Sequence, residues 1–418
     1  VTLFPEIYVK KNKTVFGIML SFSLFLMGEF ASAASYFSGC AGINSILTAD
    51  PENTALKPLA SFNQYFAGQF DLSAILLRTE FSIATDNILQ KSIFRETDAV
   101  FKIDEVSATI RHQTGGNSTY YSLFMGTYEP IGSDIFLQRQ FGIEPISSII
   151  TDNWQGLNGS VVYPFYGIGG SIITHLYQKP WAAGVYLYVN QDNDENEYML
   201  NTNLRFACVY DYFTADIAGG IGAPLGTQTA DEEDVFLVID KLYANMGANI
   251  LIGSRYTTAL FLQGGFSDVL LTKGTSSIKF DNDNTYILAE LRMTSLATRV
   301  DCSFFSLPQE TVDSMLLIDD TLGINMAIYA NHVHIGSSLF TLGSHLTLSV
   351  PEKSYEDIPA RNFFSDAKDT ANFTVAPFMA VTLGTGTLHS MVKINITDLI
   401  SSPKNAVEIA VGYKARLN

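Results

Sequence analysis

Val407-Glu408-Ile409-Ala410-Val411-Gly412-Tyr413-Lys414-Ala415-Arg416-Leu417 sets the period of this chain. Val407, Ile409, Val411, Tyr413, Ala415 and Leu417 fall on one side of an extended strand, and Glu408, Gly412, Lys414 and Arg416 on the other. The pattern recurs at Ile287, Ala289, Leu291 and Met293 against Glu290 and Arg292, and at Val300, Cys302 and Phe304 against Arg299, Asp301 and Ser303. It appears again at Leu322–Ile328 and at Val392, Ile394 and Ile396 against Lys393, Asn395 and Thr397. Helical periodicity is scarce from about residue 70 onward. Between strands lie turn signals such as Thr114-Gly115-Gly116-Asn117-Ser118, whose glycines supply the positive φ of a tight hairpin.

Composition narrows the class. The chain has 418 residues, 42 acidic and 25 basic side chains, a formal charge of -17 and 47% hydrophobic residues, with a mean hydropathy of +0.16. Hydropathy of that sign fits a membrane protein, yet the one apolar run approaching the length of a spanning helix lies at the N-terminus. A multi-helix membrane protein is therefore excluded. Nucleic acid is excluded as a partner by the lack of clustered Lys and Arg. Lys10, Lys11 and Lys13, the apolar run from Val15 to Met27 and Ala31-Ser32-Ala33 read as an export signal cleaved before Ala34. Phe37-Ser38-Gly39-Cys40 offers a rival, lipobox-like processing site with Cys40 lipidated. Cys40, Cys208 and Cys302 match no disulfide framework.

An exported chain of alternating strands without spanning helices fits an all-β, transmembrane antiparallel barrel, because backbone in a bilayer must be hydrogen-bonded internally and a closed barrel has no edge. The expected strand number is even and about 14, within a range of about 12 to 16. The 20 Tyr and 29 Phe suit interfacial girdles. The acidic, non-periodic stretches Gln191–Glu197, Thr229–Asp234, Asp281–Asn284 and Lys353–Asp369 read as exposed loops.

Residues Ala34 to Ala67 do not alternate clearly, and Ile43, Ile46, Leu47, Leu56 and Leu59 within them need burial; the barrel lumen is the place for such a plug. Here Thr48-Ala49-Asp50-Pro51 followed by Leu56-Lys57-Pro58 resembles the N-terminal hatch of the FadL-like long-chain fatty-acid transporters of the outer membrane. Lys57 stands where that family usually has Asn, and Leu59 where it has Ala. With the export signal over 1–33 and the alternating strands over 68–418 as a barrel, the resemblance implies a substrate-gating hatch over 34–67. It also implies transport of a hydrophobic small molecule, a fatty acid, across the outer membrane of a diderm bacterium, with membrane lipid and the barrel assembly machinery as partners. In that family a kinked strand opens the wall, and Gly167, Gly169, Gly170, Gly219, Gly220 and Gly222 are the positions for such a kink here. Arg292, Arg299 and Lys393, on polar faces of their strands, are the cations for a fatty-acid carboxylate.

Other chemistry is sparse. His332 and His334 share a strand face without an evident third metal ligand, and Asp192, Asp194 and Asn196 lack the Gly and Glu of a calcium loop. No nucleophile motif is present. We therefore expect no catalytic residue, no metal and no cofactor. Two other readings stand beside transport of hydrophobic solutes: a general porin, and an adhesin whose acidic loops meet host ligands.

Overall fold

The computed structural model describes residues 36–49, 58–72, 74–85, 87–89, 99–152, 161–163, 165–176, 179–191, 198–228, 234–237, 241–272, 280, 283–295, 297–336, 338–360, 362–401, 403 and 406–417. Its strands are β1 (Tyr36–Ala49), β2 (Pro58–Leu72), β3 (Ile75–Thr85), β4 (Ala99–Thr114), β5 (Asn117–Gly126), β6 (Gly167–Leu176), β7 (Trp181–Gln191), β8 (Tyr198–Val209), β9 (Phe213–Gln228) and β10 (Asp234–Leu237). They continue with β11 (Lys241–Gly253), β12 (Thr258–Thr272), β13 (Thr285–Ser295), β14 (Thr298–Ser306), β15 (Leu322–Ile335), β16 (Ser338–Val350), β17 (Asn372–Leu383), β18 (Gly386–Asn395) and β19 (Val407–Leu417). Short helices α1 (Ile135–Phe141), α2 (Gln309–Asp313), α3 (Phe363–Thr370) and α4 (Ile396–Ser401) lie in the connections.

All strands form one antiparallel sheet that closes on itself, with β1 paired to β19 from Gly39↔Leu417 to Leu47↔Ile409. β10 and β11 both pair with β9, in succession along it, and occupy one wall position between them. The described wall therefore has 18 positions from 19 segments, more than the expected 14 or so. Part of the difference is β1 and β2, which the expected plug occupies in the sequence reading. The 34–67 segment is not a lumenal hatch where it is described: Tyr36–Ala49 and Pro58–Ala67 are a wall hairpin, in register from Tyr36↔Asp71 to Ala49↔Pro58. Thr48, Ala49 and Pro58 end or begin these strands, whereas Asp50, Pro51, Leu56 and Lys57 lie outside the described residues. Ile43 and Leu47 obtain an apolar environment by facing outward, not by filling the lumen. Cys40 faces inward and packs on Tyr65 and Ala67, which leaves its sulfur buried away from the membrane surface an acyl chain would need. The export signal over 1–33 also lies outside the described residues.

Connections alternate in length. Those at 73–74, 115–116, 210–212, 254–257, 296–297, 336–337 and 384–385 are tight, and at 115–116 both glycines have positive φ (58 and 97°), as the hairpin signal requires. Those at the other end, among them 127–166, 307–321 and 351–371, are long. Outer-membrane barrels place short turns on the periplasmic side and long loops outside. Lys353–Asp369, expected as a plain loop, contains most of α3 and is tied down by Tyr355 N–H donating to Ser306 Oγ at 3.1 Å.

Side-chain alternation divides the wall into two surfaces. On β8, Leu204 is 63% exposed and points outward, while the inward Asn203 and Arg205 are 4% and 3% exposed. Leu123, Ile168, Ile172, Val185 and Leu187 continue the apolar exterior. Tyr210, Tyr212, Phe213 and Tyr256 cluster at the short-turn end, where Trp181 Nε1 donates to Tyr210 Oη at 2.6 Å. Such side chains suit the boundary between headgroups and hydrocarbon. No described helix is long and apolar enough to cross a membrane.

Candidate functional site

The lumen is occupied by the long connection after β5. Its local structure follows from its residues. Gly126 adopts φ 108°, where a Cβ would strike the Asp104 carbonyl, and the chain turns inward as Thr127 N–H donates to that same oxygen at 2.7 Å. Tyr128 then stacks on Phe124, with ring centroids 4.4 Å apart. α1 buries Ile135, Phe136 and Leu137 and ends at Gly142, left-handed at φ 64°. Asp134, at the N-cap, spends its carboxylate on the Ser147 N–H at 2.6 Å and so staples the two limbs of the segment.

Inward polar side chains fasten this inner segment around the barrel. Arg139 reaches Glu105 of β4 at 2.6 Å and Glu129 at 3.5 Å, and Glu129 also accepts the Tyr186 hydroxyl of β7 at 2.6 Å. Arg205 of β8 forms a two-pronged pair with Asp216 of β9 at 2.8 and 2.5 Å and donates to the Glu129 and Ser133 carbonyls at 2.6 and 3.3 Å. Asn249 of β11 and Gln263 of β12 both donate to the Gly132 carbonyl, and Ser148 donates to Glu290 of β13. The segment thus spans the lumen from β4 to β13. Burial works against the charge on Arg139, but Glu105 and Glu129 outweigh it and hold its proton more tightly than usual. Burial, and then Glu129, push the Tyr128 phenol up to about 12. Burial raises the Asp134 carboxyl above its ordinary range although the Ser147 bonds oppose it.

A second connection, 307–321, also turns inward. Leu307, Val312, Leu316, Leu317 and Ile318 join Ile146 and Ile150 of the inner segment in one apolar cluster. Each large side chain so buried contributes about 1.5–3 kcal/mol. Lys393 of β18 holds this connection by donating to the Leu316 carbonyl at 3.1 Å and to Asp319 at 2.8 Å. The lumen is therefore narrowed by two segments with an apolar seam between them.

Space remains against β15–β18, as a cavity of about 220 Å³. Ile149 and Asp152 of the inner segment, and Leu316 and Leu317 of the second, form one side; Tyr329, Thr341, His345, Phe378, Ala380, His389 and Met391 belong to the wall.

The three proposed carboxylate-binding cations do point inward, but each meets a carboxylate of the chain. Arg292 pairs with Glu290 at 2.7 Å, Arg299 with Asp301 at 2.8 Å, and Lys393 with Asp319 at 2.8 Å and Glu408 at 3.5 Å. None of the three lines the cavity. Pairing passes through Gly167, Gly169 and Gly170 of β6 and Gly219, Gly220 and Gly222 of β9 without a register shift. Register shifts fall instead at Glu80/Phe81, Ala244/Met246 and Ala330/Val333. The inward glycines make room for neighbours, since a Cβ at Gly169 would strike Tyr188, at Gly220 Asn203 and at Gly222 Asn201. His332 and His334 are exposed near the end of β15, and the described residues contain no group of three potential metal ligands. Glu105, Glu129, Arg139, Arg205 and Asp216 escaped the sequence reading. Their signal was present: Arg205 stands between the outward Leu204 and Phe206, and the alternation of β5 stops at Gly126.

Closure, strand order and side-chain alternation define the class as a closed antiparallel β-barrel with an apolar exterior and a narrowed lumen. No family model matches the chain, and no curated protein matches it in sequence. The likeness to FadL-like transporters thus has no family-level match, and its described residues belong to the wall. Solved structures to which the chain is similar are outer-membrane barrels. A mutant of the Rh. blastica porin is 10% identical, with a TM-score of 0.42 over 92% of this chain and 100% of that one. OprB of Pseudomonas putida is 7% identical, with a TM-score of 0.43 over 92% and 94%. Wzi of Escherichia coli, an outer-membrane carbohydrate-binding barrel involved in capsule assembly, is 8% identical, with a TM-score of 0.44 over 97% and 89%.

Proposed function

We propose that the protein is an outer-membrane passage for small solutes, porin-like in class, whose lumen is narrowed by the inner segment after β5. One observation carries the reading: that segment crosses the lumen and is fastened to inward side chains from β4 to β13, leaving free space on the side of β15–β18. An anchored internal segment sets which solutes pass, whereas a scaffold for surface loops has no need of one. Export by the signal over 1–33 and insertion by the barrel assembly machinery belong to the same reading. Reconstitution in planar bilayers tests it. We expect small discrete conductance steps that grow when Arg139 and Arg205 are both replaced by Ala; a silent bilayer, with no solute uptake by proteoliposomes, overturns it.

The finer reading, long-chain fatty acids as the solute, draws on the apolar side of the cavity. It has to contend with the pairing of Arg292, Arg299 and Lys393, because a fatty-acid head group must displace a carboxylate already in place. Saturable palmitate uptake by the same proteoliposomes, weakened by Arg299→Gln, supports it; palmitate entry at the rate of empty vesicles removes it. The acidic loops proposed as host contacts, at 192–197 and 229–233, lie outside the described residues.

A further inference from the structure

The cavity beside the inner segment lies against inward residues of β15–β18. Thr341, Ala380 and His389 stand side by side on β16, β17 and β18, and the next row is Tyr329, Gly343, Phe378 and Met391 across β15–β18. Gly343 has no side chain, and a Cβ there would strike both Tyr329 and Phe378. Those two side chains take up its space, and it is Ala380, with only a methyl group, that leaves room where Leu316, Leu317 and Ile149 face the wall. The result is a partly open pocket that is apolar along Ile149, Leu316, Leu317, Phe378 and Met391 and polar at Asp152, Thr341, His345 and His389.

Volume and charge restrict what fits. An apolar cavity of roughly 150 Å³ accepts a benzene ring. By that scale about 220 Å³ holds roughly nine heavy atoms, fewer than a long-chain fatty acid carries. Among the described residues no Lys or Arg lines the space, and Asp152 is the one carboxylate there. The His345 ring lies against Phe378 with centroids 5.0 Å apart and the planes tilted by 35°, and its Nδ1 lies 3.3 Å from Asn325 Oδ1. Nε2 is then the nitrogen left for a ligand. Thr341, whose hydroxyl lies 3.2 Å from Asn331 Oδ1, keeps a lone pair to accept with.

We propose that this cavity binds a neutral, single-ring solute carrying one hydrogen-bonding substituent, a phenol in chemical class, with the ring on Phe378, Leu316 and Met391 and the hydroxyl toward His345. The proposal rests on the reading of the lumen as a solute passage, in which the cavity is the resting place of the solute. A few polar groups in a largely apolar pocket are the usual means of orienting such a ligand.

The test uses the full chain in lipid nanodiscs, with p-cresol, toluene and palmitate as probes and heat-modifiable migration as the check of folding. We expect one p-cresol per chain, binding weakened at least tenfold by Ala380→Phe, which fills the space. His345→Leu should weaken p-cresol about tenfold and leave toluene binding unchanged, and this second variant decides the matter if Ala380→Phe does not fold. Absence of saturable p-cresol binding, binding indifferent to both substitutions, or displacement of p-cresol by one palmitate per chain overturns the proposal. Conductance measured on the same protein separates the two readings. Steps without p-cresol binding sink the cavity and leave the passage, whereas p-cresol binding in a silent bilayer does the reverse.

Discussion

Replacing Arg205 by Ala probes the anchoring of the inner segment most directly. Arg205 is 3% exposed, and its guanidinium grips both oxygens of Asp216, donates to the carbonyls of Glu129 and Ser133, and lies 4.6 Å from the centroid of the Phe136 ring. Its loss leaves Asp216 charged, buried and unpaired, at a cost of about 3–5 kcal/mol to the folded barrel. The two carbonyl bonds belong to the inner segment alone, and each bond to a charged donor is worth about 1.5–3 kcal/mol. The segment therefore loosens before the wall does. In urea titrations of the protein in lipid vesicles we expect Arg205→Ala to lose about 3–5 kcal/mol, while its single-channel current becomes larger and noisier. Adding Asp216→Ala removes the stranded charge and should return part of the loss. A loss below about 1 kcal/mol, the range of an exposed ion pair, or a double variant less stable than Arg205→Ala, would refute the assignment of this pair as a buried anchor.

Three further outcomes follow from the two surfaces of the wall and from the inner segment. Leu204→Arg, one residue along from Arg205 but pointing into lipid, should cost about 2–4 kcal/mol by the same titration if it lies near the bilayer midplane, without changing conductance. The Asp134 carboxyl is raised by burial, so the folded chain holds that proton to a higher pH than the unfolded chain; its contribution to stability is full below the ordinary carboxylate range and is lost as pH rises through the raised value. Asp134→Asn should remove that part of the decline and be more stable than the native chain at neutral pH, as read from the difference between the two pH profiles. Gly220→Val should destabilise the barrel by about 1–3 kcal/mol, because its side chain meets Asn203 and the Thr202 carbonyl, and equilibrium unfolding measures this.

The sequence by itself determined the wall. A period of two with apolar residues on one face and polar ones on the other settles which side chains face outward wherever the contrast is strong, as in β8, β13 and β19, and the glycine pair at 115–116 fixed its hairpin. The contrast fails in β1, where Gly39, Ala41 and Ser45 share the outward face with Ile43 and Leu47, while Ile46 points inward. That strand passed for a plug, and the strand count came out low. Only the tertiary structure decided what fills the lumen and which charges are spent there. Arg292 and Arg299 meet carboxylates two residues away on their own strands, a spacing visible in the chain, but the partners of Arg205, Arg139 and Lys393 come from other strands and connections. The inner segment is polar enough at its anchors and apolar enough at its seam to suit either a surface loop or a core. Closing 18 strands around it made the lumen its place, because the closed wall brings Glu105, Arg205, Gln263 and Glu290 to face one another across a space that the segment's own apolar residues then fill.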